Sequence, residues 1–476
     1  MAFLPRPAPS RDSVTTIRAD GSRPFLHPAD VRGRFTTWRR VTGWLLIVIY
    51  LVLPWIPVRG HPAVFLDIGG GRFHLFGLTL AFQDAWLLFF VISGLGFTLF
   101  FVTALFGRLW CGWACPHTVF LDHVYRRIER LLEGDATRRR QLDAAPWSTA
   151  KLARRTLKHA LYILVSAVIA HLFLAYFVSL PELWSMIRSA PVEHWNAFGF
   201  VAVFTGILYF NFAWFREQLC IIVCPYGRIQ SALIDDHSLV IGYDAARGEP
   251  RGKLGTVGAG DCVGCNRCVQ VCPTGIDIRQ GLQIECIGCT ACIDACDEVM
   301  TRIERPRGLI RYDSQTRFTG GVTRWLRPRV AVYAALFLLG AGVAAWAVTT
   351  VRPADVLITR MTGAPYIVDE HDVRNQFLVR LVNKRDETHT FTLAFTGLPA
   401  GAHVLGFEAP LAIAPGAEII RPLILQQPRA TYRGPFVFEL SVQDAARAID
   451  LRRRAEFLGP DPQLLREEES ERHARP

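Results

Sequence analysis

Eight of the chain's twelve cysteines fall in one stretch of 36 residues, Asp261–Cys296, reading DCVGCNRCVQVCPTGIDIRQGLQIECIGCTACIDAC. Cys262, Cys265, Cys268 and Cys272 have two, two and three residues between them, with Pro273 after the last. Cys286, Cys289, Cys292 and Cys296 repeat the spacing, with Asp297 in place of the proline. Steps this short let one tight loop aim several thiolates at a single inorganic cube, and the run is the bacterial-ferredoxin pattern for [4Fe–4S] clusters. In that pattern the fourth cysteine of each run crosses to the other cluster. One cluster is therefore expected on Cys262, Cys265, Cys268 and Cys296, and the other on Cys286, Cys289, Cys292 and Cys272. Zinc sites usually take two CxxC pairs per metal, often with histidine, rather than two runs of four cysteines.

The rest of the chain is governed by its apolar residues, which make up 51% of the sequence and are clumped. Five runs, 41–58, 84–106, 157–178, 197–215 and 329–350, are long enough to cross ~30 Å of hydrocarbon at about 1.5 Å per helical residue. Lys plus Arg number 8 in residues 1–40, 2 in 59–83, 11 in 107–158, 1 in 179–196 and 15 in 216–329. This alternation predicts a cytoplasmic N-terminus, a cytoplasmic cysteine-rich segment and a periplasmic tail, in the inner membrane of a bacterium. Trp38, Trp55, Trp86, Trp110, Trp184, Trp195, Trp214 and Trp325 lie near span ends, as an aromatic belt requires. All twelve cysteines lie between residues 111 and 296, in segments assigned to the reducing compartment. The net charge of +11 is accounted for by these basic loops and anionic lipid, and no nucleic-acid-binding motif accompanies it.

A second cysteine pattern occurs twice. LWCGWACPH follows the second run, with Cys111 and Cys115, and LCIIVCPYG follows the fourth, with Cys220 and Cys224. On a helix, cysteines four apart share a face about one turn apart, and the proline after each pair interrupts the helix. Four thiols are thus expected to converge at one depth, facing the ferredoxin segment. A soft sulfur site of this kind favours Cu(I), zinc or an iron–sulfur cluster; its position beside one-electron carriers argues for a redox metal. His117 and His123 follow the first motif and are candidate nitrogen ligands, although headgroup-facing histidines are the commoner case. His171 lies within the third span, and without a CxxCH motif covalent haem is excluded. His61 and His74, in a loop that reads as a hairpin at the membrane surface (GGGRFHLFG), read as surface histidines.

The expected order is a disordered tail over 1–40, then four helices and both CxxxCP motifs within 41–225. A ferredoxin-type domain over 226–328 and a fifth helix over 329–350 follow, with a periplasmic domain over 351–476. Residues 126–158 read as a solvated basic amphipathic helix, and 226–260 as a flexible approach to the clusters. NQFLVRLVNK, HTFTLAFTG, EIIRPLILQ and PFVFELSVQD, separated by turn residues, predict an immunoglobulin-like β-sandwich. The final LLREEESERHARP reads as frayed. The fold class is thus a five-helix transmembrane bundle with an inserted bacterial-type 2[4Fe-4S] ferredoxin domain and a C-terminal immunoglobulin-like sandwich.

LWCGWACP, CIIVCPYGRIQ, the paired ferredoxin runs and the β-rich tail together resemble the cytochrome c oxidase accessory protein family known as CcoG, FixG or RdxA. The resemblance spans about residues 35–460. It implies reduction of Cu(II) to Cu(I) for assembly of a cbb3-type oxidase, with Cys111, Cys115, Cys220 and Cys224 as the copper and catalytic site. It implies two [4Fe-4S] clusters on the eight ferredoxin cysteines, a cytoplasmic electron donor, and oxidase assembly factors or a copper chaperone as partners. A quinol-oxidising electron conduit and a copper-binding scaffold with structural clusters remain as alternatives.

Overall fold

The computed structural model describes residues 25–467, apart from 59, 70, 82–85, 351–353, 386, 445–449 and 466. Residues 1–24 of the expected tail, and nearly all of the C-terminal stretch expected to fray, lie outside the described residues. Among the described residues, five helices are long and apolar enough to cross a membrane: Arg34–Trp55, Trp86–Phe106, Thr149–Leu174, Trp195–Phe215 and Pro328–Trp346. The chain forms two compact units, one running through the helices and cysteine-rich segments to Trp346, the other holding the tail from Ala347 together with residues 67–85.

In the first unit, α1 (Arg34–Val52) begins several residues before its apolar run. The cause is a remote cap. Asp294, in the ferredoxin segment, accepts hydrogen bonds from the Phe35 amide (3.3 Å) and from the Thr36 amide and hydroxyl (2.6 Å each). Its carboxylate satisfies amides that a helix start otherwise leaves unpaired. The segment before it is docked too: Ala29 donates its amide to Gln270 O (2.8 Å), and Arg267 donates to Asp30 O (2.8 Å). The expected tail over 1–40 therefore ends before these residues. No periodicity could reveal this, because the partners are more than 200 positions away.

The hairpin read from GGGRFHLFG is present in the second unit as β1 (Arg72–Leu75) and β2 (Leu78–Ala81), joined by Phe76 and Gly77, both at positive φ. That conformation suits a two-residue hairpin turn. His74 is buried rather than on the surface, with its ring stacked 3.9 Å from that of His61. Gly416 of the tail sits directly against the Arg72 guanidinium. Hairpin and tail are thus one body.

Back in the first unit, α2 (Trp86–Phe106) leads to the short α3 (Leu109–Trp113) and α4 (Pro116–Phe120). After a π turn at Leu121–Tyr125 come α5 (Arg126–Glu133), α6 (Thr149–Leu174) and α7 (Trp195–Phe210). Two π turns, Asn211–Phe215 and Leu219–Val223, precede α8 (Pro225–Leu233). The basic stretch after α4 is not a solvated helix. It is broken into short helices, and Arg139 is buried in an ion pair with Glu129 (3.0 Å).

The expected flexible approach contains β3 (Leu239–Tyr243), which pairs in antiparallel register with β4 (Ile310–Ser314). This ribbon closes the ferredoxin segment, whose helices are α9 (Arg267–Gln270) and α10 (Ala291–Arg302). The fifth long helix is α11 (Pro328–Thr350).

The tail is a sandwich of two antiparallel sheets. One runs β8 (His403–Leu405), β10 (Glu418–Pro428), β6 (Asp372–Asn383), β5 (Ala354–Arg360). The other runs β9 (Leu411–Ile413), β7 (His389–Thr396), β11 (Phe436–Asp444), β12 (Asp450–Phe457). Alternate residues of β6 point inward, so Phe377, Val379 and Leu381 meet Phe391, Leu423, Phe438 and Phe457 in the core.

Candidate functional site

The two CxxxCP motifs fold alike. Cys111 lies in α3 and Cys220 in the π turn before α8, while Cys115 and Cys224 are extended (φ −61°, ψ 124°; φ −66°, ψ 111°). Each second cysteine precedes a proline, which disfavours helical backbone before it and itself opens the next helix. Each also donates its amide five residues back, Cys115 to Trp110 O and Cys224 to Leu219 O, both at 2.8 Å. The cysteines of a pair therefore do not share one continuous helix, as spacing alone suggested. The proline ends the helix before the second thiol.

Across the motifs, Cys111 interacts electrostatically with Cys115 and Cys224, and Cys220 with Cys115, Cys111 and Cys224. Burial pushes the Cys111 thiol up to about 11 and raises that of Cys220 further. Such thiols stay protonated unless a bound metal replaces the proton. Among the described residues no three His, Cys, Asp or Glu side chains stand close enough together to hold a single metal ion. The thiols of an iron–sulfur cube sit on different irons and need a wider spread.

The candidate histidines do not join these thiols. His117 donates Nε2–H to Arg216 O (3.0 Å) and its Nδ1 accepts from the Asn211 amide (3.1 Å), so both ring nitrogens are used. Burial holds it down to about 4, hence neutral. His171 donates Nδ1–H to Ala167 O (2.8 Å), four residues back in its own helix. His123 is buried against Gly43.

The ferredoxin segment repeats its geometry as it repeats its sequence. Gly264 and Gly288 have φ of +68° and +69°, and Asn266 and Thr290 have φ of +56° and +62°. Left-handed residues on either side of Cys265 and of Cys289 bend each loop around its thiols, and each loop opens directly into a short helix carrying Cys268 or Cys292. Cys296 interacts with Cys268 and Cys262, while Cys292 interacts with Cys289, Cys286 and Cys272. A cavity lined by the second set, Cys272, Cys286, Cys289 and Cys292, and by Cys268 of the first forms an apolar cradle with Ile241 and Ile278. Four soft thiols in a dry pocket suit an iron–sulfur cluster. Burial pushes Cys268 and Cys286 up to about 11 and Cys289 and Cys296 up to about 12.

The two kinds of site touch. A Cβ added at Gly112, between Cys111 and Cys115, would come within 2.7 Å of Ile287 O and 2.8 Å of Gly288. Only glycine allows the CxxxCP backbone this close to the loop between Cys286 and Cys289. Arg108 secures the contact: it donates to Gln230 Oε1 (2.7 Å), to Cys286 O (3.1 Å) and to the carbonyls of Ile284 and Gly227. Gln230, fully buried, accepts from Cys111 Sγ at 3.4 Å. Arg108 lies outside the motifs read from the sequence, and Gln230, the last residue of CIIVCPYGRIQ, is not singled out there as a site residue. Behind the second motif, Arg216 holds a positive φ of 48° and pairs with buried Glu129. Burial alone would raise the Glu129 carboxyl, but Arg216 and Arg139 hold it down to about 2.

Membrane-length helices, ferredoxin loops and a C-terminal sandwich define a membrane iron–sulfur redox protein. Residues 215–315 match the family described as 4Fe-4S dicluster domain, residues 86–133 a 4Fe-4S binding domain, and residues 344–460 the IG-like fold at the C-terminus of FixG. Protein RdxA of Cereibacter sphaeroides is 36% identical, the alignment covering 81% of this chain and 86% of the relative. Nitrogen fixation protein FixG of Rhizobium meliloti is 36% identical (82% and 83% covered), and Protein RdxB of Cereibacter sphaeroides 34% (78% and 82%). The chain belongs to the FixG/RdxA family.

Proposed function

We propose that this chain reduces Cu(II) to Cu(I) at the paired CxxxCP motifs for assembly of a cbb3-type cytochrome oxidase. Cys262, Cys265, Cys268 and Cys296 hold one [4Fe–4S] cluster, and Cys286, Cys289, Cys292 and Cys272 the other. When bound, these clusters supply single electrons drawn from a cytoplasmic donor. Each Cu(II) takes one electron, and soft thiols drawn in pairs from Cys111, Cys115, Cys220 and Cys224 retain the Cu(I) product, releasing protons as they bind. In this reading the N-terminus and clusters face the cytoplasm and the sandwich faces the periplasm. The observation that carries the proposal is the backbone contact between Gly112 and the loop of Cys286 and Cys289, which brings the motif thiols beside a cluster ligand set.

A second reading gives the same four thiols a third iron–sulfur cluster. It is favoured by the 4Fe-4S binding match over residues 86–133, where Cys111 and Cys115 are the only cysteines. One experiment separates the two. Protein purified anaerobically and reduced with dithionite is mixed with Cu(II), and cluster bleaching and Cu(I) appearance are followed together. Clusters that stay reduced in the presence of Cu(II) overturn the reductase reading. Replacing all four motif cysteines with Ala abolishes copper binding and leaves about eight irons per chain if copper is the ligand; loss of about four further irons assigns a third cluster.

A further inference from the structure

Beside the second ferredoxin loop lies a cavity of about 120 Å³ that reaches Cys289 but whose charged lining has no part in the proposed redox chemistry. Six segments meet there: Pro28–Val31, the first turns of α1, the π turn with α5, the helix carrying Arg139, the residues flanking Cys272, and the loop carrying Cys289. Six guanidiniums and two carboxylates line it. Both acids are already taken. Asp122 pairs with Arg39 and with Arg126 (2.6 Å), and Asp30 pairs with Arg130. Arg139 is held by Glu129. Arg40 and Arg127 are left with no carboxylate among the described residues, although Arg40 feels the charges of Arg127 and Arg32. Arg40 makes one hydrogen bond, to Val31 O at 3.3 Å, and its buried Nε has no partner.

A third group is in the same state. His123 is 4% exposed, lines the cavity, and its buried Nδ1 has no hydrogen-bond partner. Its ring packs so closely on Gly43 that a Cβ there would meet Cδ2 at 2.3 Å, so the imidazole cannot withdraw toward α1. Two unbalanced guanidiniums and one orphaned imidazole nitrogen around one void constitute a donor set without its acceptor. Unpaired charge at a partly buried site is costly, and guanidinium forks match the oxygens of a phosphate.

We propose that this cavity binds a phosphate group, presented by the headgroup of an anionic phospholipid or as free phosphate. The site lies where α1 begins, at the end of a membrane-length helix, where basic pockets meet lipid headgroups. A bound phosphate links α1 and α5 to the Cys289 loop and so clamps the ferredoxin segment to the helices.

The test uses the full chain, purified anaerobically, stripped of lipid and placed in phosphatidylcholine nanodiscs with or without cardiolipin. Retained lipid is counted by native mass spectrometry, inorganic phosphate binding is titrated, and the thermal midpoint of the cluster absorption is recorded. Cardiolipin or phosphate is expected to bind saturably near one per chain and raise the midpoint. Arg40→Ala with Arg127→Ala weakens that binding at least tenfold, and Arg127→Gln, the gentler change, weakens it in the same direction at unchanged iron content. Saturation by cardiolipin alone assigns a lipid headgroup; saturation by phosphate in neutral nanodiscs assigns the free anion. If neither probe binds, or the Arg127→Gln protein binds both as tightly as the parent, the inference is overturned.

Discussion

Gly112→Ala tests whether the close approach of the first CxxxCP motif to the second ferredoxin loop serves electron transfer. The added Cβ would stand 2.7 Å from Ile287 O and 2.8 Å from the Gly288 carbonyl. Both obstacles are backbone, so no rotamer change relieves the clash. Because the Gly112 backbone carries no positive φ, alanine adds no backbone strain there, and the steric cost is offset only in part by the lower entropy of the unfolded chain. Forcing one extra carbon into such a contact costs about 1–3 kcal/mol, which weakens the docked arrangement about 5- to 150-fold. None of the cysteines is touched, so iron content is expected to stay at the parent value. Single-turnover mixing of the dithionite-reduced protein with Cu(II), monitored by a Cu(I) chelator, is expected to slow by one to two orders of magnitude. A Gly112→Ala protein with parental rate and parental thermal midpoint would refute the contact as the electron route.

Other perturbations separate the remaining parts of the argument. Arg108→Ala leaves the carbonyls of Gly227, Ile284 and Cys286 without their donor at about 1–3 kcal/mol for each that stays buried. A lower thermal midpoint is expected, and Arg108→Lys should not restore it because an ammonium lacks the fork. Glu129→Gln strands Arg216 and Arg139 in the interior and is expected to destabilise by about 3–5 kcal/mol, measured by thermal or denaturant unfolding. With its carboxyl held at about 2 in the fold and near 4.3 when unfolded, Glu129 stabilises above pH ~4.3. That contribution disappears as pH falls toward 2. His117, neutral in the fold down to about 4, acts in the same direction at higher pH: stability falls as pH drops from about 6.5 to 4. His117→Asn is expected to reduce that slope, leaving the part due to His123, which burial also holds down to about 4. In the sandwich, Phe377→Ala opens a cavity at a 2% exposed position and is expected to cost about 3–5 kcal/mol in the unfolding of that unit, with iron content unchanged.

Much of the fold was legible because it is written in local chain properties. Apolar length marks a membrane helix wherever it occurs, and alternation marked β6, whose inward residues Phe377, Val379 and Leu381 build the sandwich core. The misreadings share one cause, a partner remote in sequence. The tail expected over 1–40 proved docked from residue 25 onward because Gln270, Arg267 and Asp294 hold it. The basic stretch after Pro116 looked solvated because the carboxylate that pairs with Arg139 is itself held by Arg216, from the turn between the two later π turns. His74 read as a surface residue because the ring that covers it, His61, lies across a turn.

Sequence alone determined that this chain carries two ferredoxin cysteine runs, two CxxxCP motifs, five apolar helices and a β-rich tail, since each depends on spacing within a few residues. Tertiary structure alone decided how they are joined. It set Asp294 as the cap of α1 and Arg108 as the brace between motif and ferredoxin loop. It also left Arg40 and Arg127 facing one cavity without a carboxylate to pair with, beside the unpartnered Nδ1 of His123. Spacing confines thiols to a loop, but which loop a backbone meets is settled by close packing between distant segments, and at Gly112 that packing leaves room for no side chain at all.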